Sequence, residues 1–187
     1  MQRAIMTVKD PLADEVLSSE VKYKGSFLQV IRDEVRTPDG VISCREYLRH
    51  PGAAAIIPMF DDGRVILEKQ YRHPLRKTFL EIPAGKLDPR ESPLNCAKRE
   101  LIEETGYEAS KWKLLGRFNN AIGYSDEEIT VFLARDLKKV GQHLDPGEVL
   151  ELVEMPWTEL VSKSLNGEIR DVKTIVAAMW LAHEMAD

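Results

Sequence analysis

The chain has 187 residues, 43% hydrophobic and 30% charged, enough for one well-buried domain with a small extension rather than for two domains. Its net charge of −5 argues against nucleic acid or an acidic membrane surface as a partner, because phosphate binding needs a cationic face. The opening MQRAIMTVKDPLADE lacks an apolar signal core, no run approaches the ~18 apolar residues of a spanning helix, and the cysteines Cys44 and Cys96 define no disulfide framework. The expectation is a cytoplasmic protein with reduced thiols.

In chain order, FLQVIRDEVRTPDGVISCREYLRH reads as extended segments on either side of the turn Pro38-Asp39-Gly40. GAAAIIPMF and RVILEKQYR are short apolar runs flanking Asp61-Asp62-Gly63, a second turn signal, and read as strands. The loop EIPAGKLDPRE then leads into a helix with Ser92 as N-cap, Pro93 at its first position and Gly106 as its left-handed stop. Leu94, Ala97 and Leu101 recur at helical spacing, so that stripe faces a core. Strands follow in WKLLGRF, EITVFLARDL and VLELVEMP, then a helix from Trp157, a turn at Asn166-Gly167 and a second helix through VKTIVAAMWLAHEM. The pattern predicts an α/β or α+β domain with a mixed central sheet and about three helices.

The helix after Ser92 carries an electrostatic problem. Glu100 and Glu104 lie one turn apart on the same side, with Glu103 beside them, and they crowd the last turns, where the helix dipole disfavours negative charge. Such a face is ordinarily a solvated one, yet here it adjoins a core stripe, so a cation is expected to offset it. A hard divalent ion suits carboxylate oxygens and would let an acidic protein handle an anionic phosphate substrate. The histidines His50, His73, His143 and His183 are scattered and show no ligand spacing.

Gly85, five residues, Glu91, seven residues, Arg99-Glu100-Leu101, one residue, Glu103-Glu104, one residue and Gly106-Tyr107 together resemble the signature box of the Nudix hydrolases at every fixed position. The resemblance implies an αβα sandwich that hydrolyses a nucleoside diphosphate linked to another group. It implies Glu100 and Glu104 as principal metal ligands, Glu103 in support, and the main-chain carbonyl of Ala84 as a further ligand. Gly85, Glu91, Arg99 and Gly106 carry structural roles, and the metal is Mg²⁺, with Mn²⁺ as the alternative.

EKQYRHPLRKTFLEIPAGK resembles the approach to the box in the ADP-ribose and nucleoside diphosphate sugar pyrophosphatases. By that likeness Arg72 reaches the substrate, its planar fork suiting a diphosphate or carboxylate. Glu81 binds ribose hydroxyls, supports the metal shell or serves as a loop acceptor. NNAIGYSDEE is similar to the subgroup's Ser-Pro-Gly-aromatic-Ser-Asp-Glu segment, which makes Tyr124 a substrate-binding candidate. Ile122 stands where the subgroup has proline, which opens the terminal group to nucleotide sugars besides ADP-ribose. LDPGEVLELVEMP matches the subgroup's mobile loop, so Glu148 is the candidate base, with Glu151 second.

Residues 1–48 resemble the subgroup's N-terminal strands, which pair with a second subunit, and 49–187 the hydrolase domain. The expectation is therefore a homodimer acting on a small nucleotide-sugar substrate. The alternatives are a Nudix hydrolase of nucleoside triphosphates or dinucleoside polyphosphates, and a binding protein without turnover.

Overall fold

The computed structural model describes residues 10–186. It comprises two compact units, one running up to His50 and including Ala121–Asp126, the other formed by Pro51–Asn120 and the chain from Glu127 onward.

The first unit is an antiparallel sheet of β1 (Glu15–Lys24), β2 (Gln29–Arg36) and β3 (Ile42–Arg49), in that order. The β2–β3 hairpin closes at the expected turn, where the Gly40 N–H donates to the Thr37 carbonyl at 2.8 Å and Gly40 adopts φ of +89°. On β2, Ile31, Asp33 and Val35 are buried between exposed Arg32, Glu34 and Arg36, the alternation of a half-covered strand. β1 is exposed along its whole length, with Val16, Val21 and Tyr23 open to solvent. Residues 121–126 return to this sheet, with the Leu48 N–H donating to the Tyr124 carbonyl and the His50 N–H to Asp126 Oδ1, both at 2.8 Å.

The second unit begins with β4 (Ala53–Pro58), β5 (Arg64–Arg72), a 3₁₀ turn at His73–Leu75, β6 (Lys77–Glu81) and β7 (Ala84–Lys86). α1 (Pro93–Glu100) follows and runs into a π-helical turn at Leu101–Thr105. Then come β8 (Tyr107–Asn119), β9 (Glu128–Lys139), β10 (Leu150–Pro156), α2 (Trp157–Leu165) and α3 (Val172–Glu184). The strands form a mixed sheet ordered β7-β4-β9-β8, in which β4 and β9 run parallel, and an antiparallel sheet ordered β10-β5-β6.

The layering can be read along β4. Ala53, Ala55 and Ile57 join the core beneath α2 and α3, with Leu160, Ala177 and Leu181, whereas Ala54 and Ile56 face Cys96, Ala97 and Leu101 of the α1 segment. A strand whose successive side chains enter different cores is covered on both faces, which explains its unbroken apolar run. Helices therefore lie on both sides of the sheet, the expected sandwich.

Two local expectations change. The segment EIPAGKLDPRE, expected as loop, contains β7, because Ala84–Lys86 supplies backbone partners to Ala53–Ala55 that the buried β4 would otherwise lack. The helix does not remain α-helical to Gly106. It widens into the π turn after Glu100, and Gly106 closes that turn at φ of +74° with its N–H on the Ile102 carbonyl.

Candidate active site

The short α1 begins where expected, Ser92 Oγ accepting from the Asn95 N–H at 3.3 Å with Pro93 at the first position. Buried Ala97 and Leu101 and partly buried Leu94 fix which side of the helix meets the core. The π turn then re-aims the last glutamates, and the Glu103 and Glu104 carbonyls leave the helical ladder to accept from the His143 N–H at 3.1 Å and from Gln142 Nε2 at 2.5 Å.

Glu104 is 2% exposed, and its Oε2 accepts the Ala84 N–H at 2.9 Å, which brings the Ala84 backbone to this carboxylate. Glu100 lies against Gly85 so closely that a Cβ there would stand 1.7 Å from its Oε1. The glycine is thus required by a carboxylate rather than by a turn.

Arg99 binds the whole box. Its guanidinium donates to Glu91 at 3.1 and 2.9 Å, Glu100 at 2.6 Å, Glu103 at 3.0 Å and the Lys86 carbonyl at 3.1 Å. Glu91 also accepts the Asp88 N–H at 3.0 Å, so loop and helix share one charged clasp. Cys96 is buried beneath it, and burial, reinforced by Glu100 and Glu91, pushes its thiol up to about 12, so it is not a nucleophile.

A second set of charged groups stands on β5 and β6. Arg72 donates through Nε and Nη2 to the two oxygens of Glu81 at 2.8 and 2.7 Å, and Lys173 also donates to Glu81. Lys173 comes from the first turn of α3, where Asp171 caps the Thr174 N–H at 3.0 Å and Thr174 Oγ1 accepts the Ile82 N–H at 2.9 Å. Burial alone would push the Glu81 carboxyl up, but Arg72 and Lys173 outweigh it and hold the group below the usual glutamate range. Glu148 approaches from the loop before β10, its Oε1 accepting Gln70 Nε2 at 3.0 Å.

The carboxylates facing one another are strained toward protonation. Burial, then Glu68, Glu100 and Glu148, push Glu104 up to about 10. Glu100 is raised by burial, less strongly because Arg99 opposes it. Glu68, which sequence reasoning passed over, is fully buried on β5, and neither of its carboxylate oxygens has a hydrogen-bond partner. Its carboxyl is raised to about 7, chiefly by burial. The available signal was a glutamate closing the run Val65-Ile66-Leu67 in a central strand. Lys173 was also missed, although a cation in the first turn of a helix opposes the dipole and so needs a reason.

The structure brings Glu100, Glu103, Glu104, Ala84, Gly85, Glu91 and Arg99 together, and Glu148 with them through its influence on Glu100 and Glu104. It does not bring Glu151 there. Glu151 is paired with Lys69 at 2.9 Å, and Lys69 sits on β5 one residue out of step with Glu68 and Gln70, hence on the opposite face. Tyr124 belongs to the first unit, where it lines a recess of about 360 Å³ with Asp14, Asp33, Arg45, Tyr47 and Ile122.

A divalent cation fits this donor set. No three His, Cys, Asp or Glu side chains among the described residues converge tightly enough to enclose an ion as they stand, since Arg99 and the Ala84 N–H hold several of the oxygens. Yet buried glutamates held toward protonation and two orphaned oxygens on Glu68 are what a missing positive charge leaves behind.

Comparison with known proteins agrees with this geometry. A NUDIX domain model matches residues 49–176, and a nucleoside diphosphate sugar hydrolase N-terminal domain model matches residues 15–48. The chain is 37% identical to the ADP-ribose pyrophosphatase of Bacillus subtilis, across 91% of this chain and 93% of that one. It is 40% identical to the ADP-ribose pyrophosphatase of Mycobacterium tuberculosis, across 90% and 82%, and 36% identical to the methanol dehydrogenase activator of Bacillus methanolicus, across 90% and 92%. The fold is shared with an ADP compounds hydrolase at a TM-score of 0.83 and 22% identity, covering 96% of this chain and 97% of that one. The chain belongs to the Nudix family.

Proposed function

We infer that the protein is a divalent-metal-dependent hydrolase that cleaves the pyrophosphate bond of ADP-ribose or another nucleoside diphosphate sugar, giving a nucleoside monophosphate and a sugar phosphate. The observation that carries this reading is the set of mutually repelling glutamates, Glu104 buried and Glu100 half-buried, gathered around Gly85 and Ala84 in a Nudix chain whose N-terminal segment matches a nucleoside diphosphate sugar hydrolase domain.

In this reading Glu100 and Glu104, with Glu103 and the Ala84 carbonyl in support, hold Mg²⁺, with Mn²⁺ as the alternative. Such an ion neutralises diphosphate charge and polarises a phosphoryl oxygen when bound. The chain's own residues supply the rest. Glu148, steadied by Gln70, takes the proton of the attacking water. Arg72 is locked by Glu81 through Nε and Nη2, so Nη1 is the donor directed to substrate. Glu91 and Arg99 keep loop and helix in register and touch no reacting atom.

The exposed outer strand β1, with Val16, Val21 and Tyr23 open, supports pairing with a second copy, because an uncovered apolar edge strand favours association. Among the described residues no helix is long and apolar enough to cross a membrane, and Cys44 and Cys96 are unpaired, which supports a reducing, cytoplasmic setting.

The test is product analysis after incubating purified protein and Mg²⁺ with a panel of nucleoside diphosphate sugars, nucleoside triphosphates and dinucleoside polyphosphates. Nucleoside monophosphate and sugar phosphate are expected from the first class. Pyrophosphate release from triphosphates instead, or tight binding without turnover, would overturn the reading.

A further inference from the structure

Glu68 occupies the middle of β5, itself the central strand of the β10-β5-β6 sheet, and is fully buried. It lies across from Glu81 in the β5–β6 ladder. Arg72 and Lys173 satisfy Glu81, yet both oxygens of Glu68 lack partners. Lys173 and Arg72 attract Glu68 only through space, and a buried carboxylate without hydrogen bonds is among the most expensive groups a core can hold. A proton alone does not resolve it, since the resulting O–H would still be buried with no acceptor. Gln70, two residues on and hence on the same face, holds Glu148, so the orphaned carboxylate faces the side of the strand from which Glu148 approaches. It also stands close enough to Glu104 to be that group's foremost like-charge neighbour.

We propose that Glu68 is a further ligand of the metal centre, holding, together with Glu104, a divalent cation additional to the one gathered by the signature box. This rests on the metal-centre reading above and extends it to a residue outside the box. One cation between these groups would answer both Glu68 oxygens and relieve the repulsion between the buried carboxylates of Glu68 and Glu104. The ion would be hard and oxygen-liganded, Mg²⁺ or Mn²⁺, because the donors are carboxylates with no thiolate or imidazole among them.

The experiment is Mn²⁺ titration of the metal-free full chain, following free Mn²⁺ by electron paramagnetic resonance, for wild type, Glu68→Gln, Glu68→Leu and Glu104→Gln. Both Glu68 variants are expected to lose one bound Mn²⁺ per chain or to weaken that site at least tenfold, with the remaining binding intact. Their metal-free unfolding midpoints should equal or exceed that of wild type, which excludes misfolding as the cause. Unchanged stoichiometry, with affinity within twofold in both Glu68 variants while Glu104→Gln loses Mn²⁺, would overturn the proposal and leave the box assignment standing. If Glu104→Gln also binds like wild type, the metal-centre reading fails together with it.

Discussion

Glu68 and Glu81 face each other across the β5–β6 ladder, and Arg72 and Lys173 hydrogen-bond Glu81 but not Glu68. Two like charges in register destabilise a sheet unless something cationic stands between them. The arrangement divides the buried carboxylates into one that the protein neutralises itself and others that it leaves for a cation.

Lys173 should therefore be structural. Replacing it by Met removes the buried partner of Glu81 and leaves Arg72 to hold that charge alone. A loss of about 3–5 kcal/mol is expected, read from the urea midpoint of the metal-free protein. A midpoint equal to wild type would show that Arg72 suffices.

Removing charge where the protein lacks a cation should act the opposite way. Glu104→Gln is expected to lower turnover at least about 100-fold, or about 2.7 kcal/mol, while leaving the metal-free unfolding temperature equal or higher. Turnover within threefold of wild type would remove Glu104 from the metal centre.

The two late glutamates should separate cleanly. Glu148→Gln is expected to reduce kcat by about 10²- to 10⁴-fold with little change in Mn²⁺ affinity at the box. Glu151→Gln should stay within twofold, because Glu151 is occupied by Lys69 on the other face of the sheet. Equal losses in both variants would contradict this face assignment.

Stability should depend on pH with an unusual sign when metal is absent. In the unfolded chain Glu68 and Glu104 release their protons near the ordinary value of 4.5, whereas the folded chain keeps them to about 7 and about 10. The unfolded state then binds fewer protons across that window. The stabilisation is complete below pH 4.5 and is lost as pH rises through the folded values. Thermal unfolding in EDTA should show the midpoint falling from about pH 5 to pH 9, with a flatter profile in Glu104→Gln. A midpoint rising over that range would contradict the burial assigned to these carboxylates.

Gly85→Ala tests the close approach. The added Cβ would collide with the end of the Glu100 side chain, which can swing away, so the fold should survive within about 1–3 kcal/mol. Mn²⁺ affinity should fall at least tenfold as Glu100 is displaced, measured by the same titration. Retained affinity would show that Glu100 can serve from its new position.

Much of this was legible in the chain. The apolar runs of β4 and β9, the turns at Gly40 and Gly63 and the Ser92-Pro93 helix start follow from local steric and hydrogen-bonding rules, and the glutamate spacing that marks the box is itself a local pattern. Spacing alone also made Glu100 and Glu104 neighbours. What it could not supply was the π turn that carries Glu104 into the interior, because that turn depends on Gln142 and His143 accommodating the freed carbonyls.

The alternation of strands and helices, the glutamate constellation and the family could all be read from residues close together in the chain. Which carboxylates are neutralised depends on contacts made only in the folded core. Lys173 reaches Glu81 across 92 positions, and Gln70 reaches Glu148 across 78, while the Glu68 oxygens meet no hydrogen-bond partner. Burial and charge compensation are properties of the assembled core, so they could not be read from spacing along the chain.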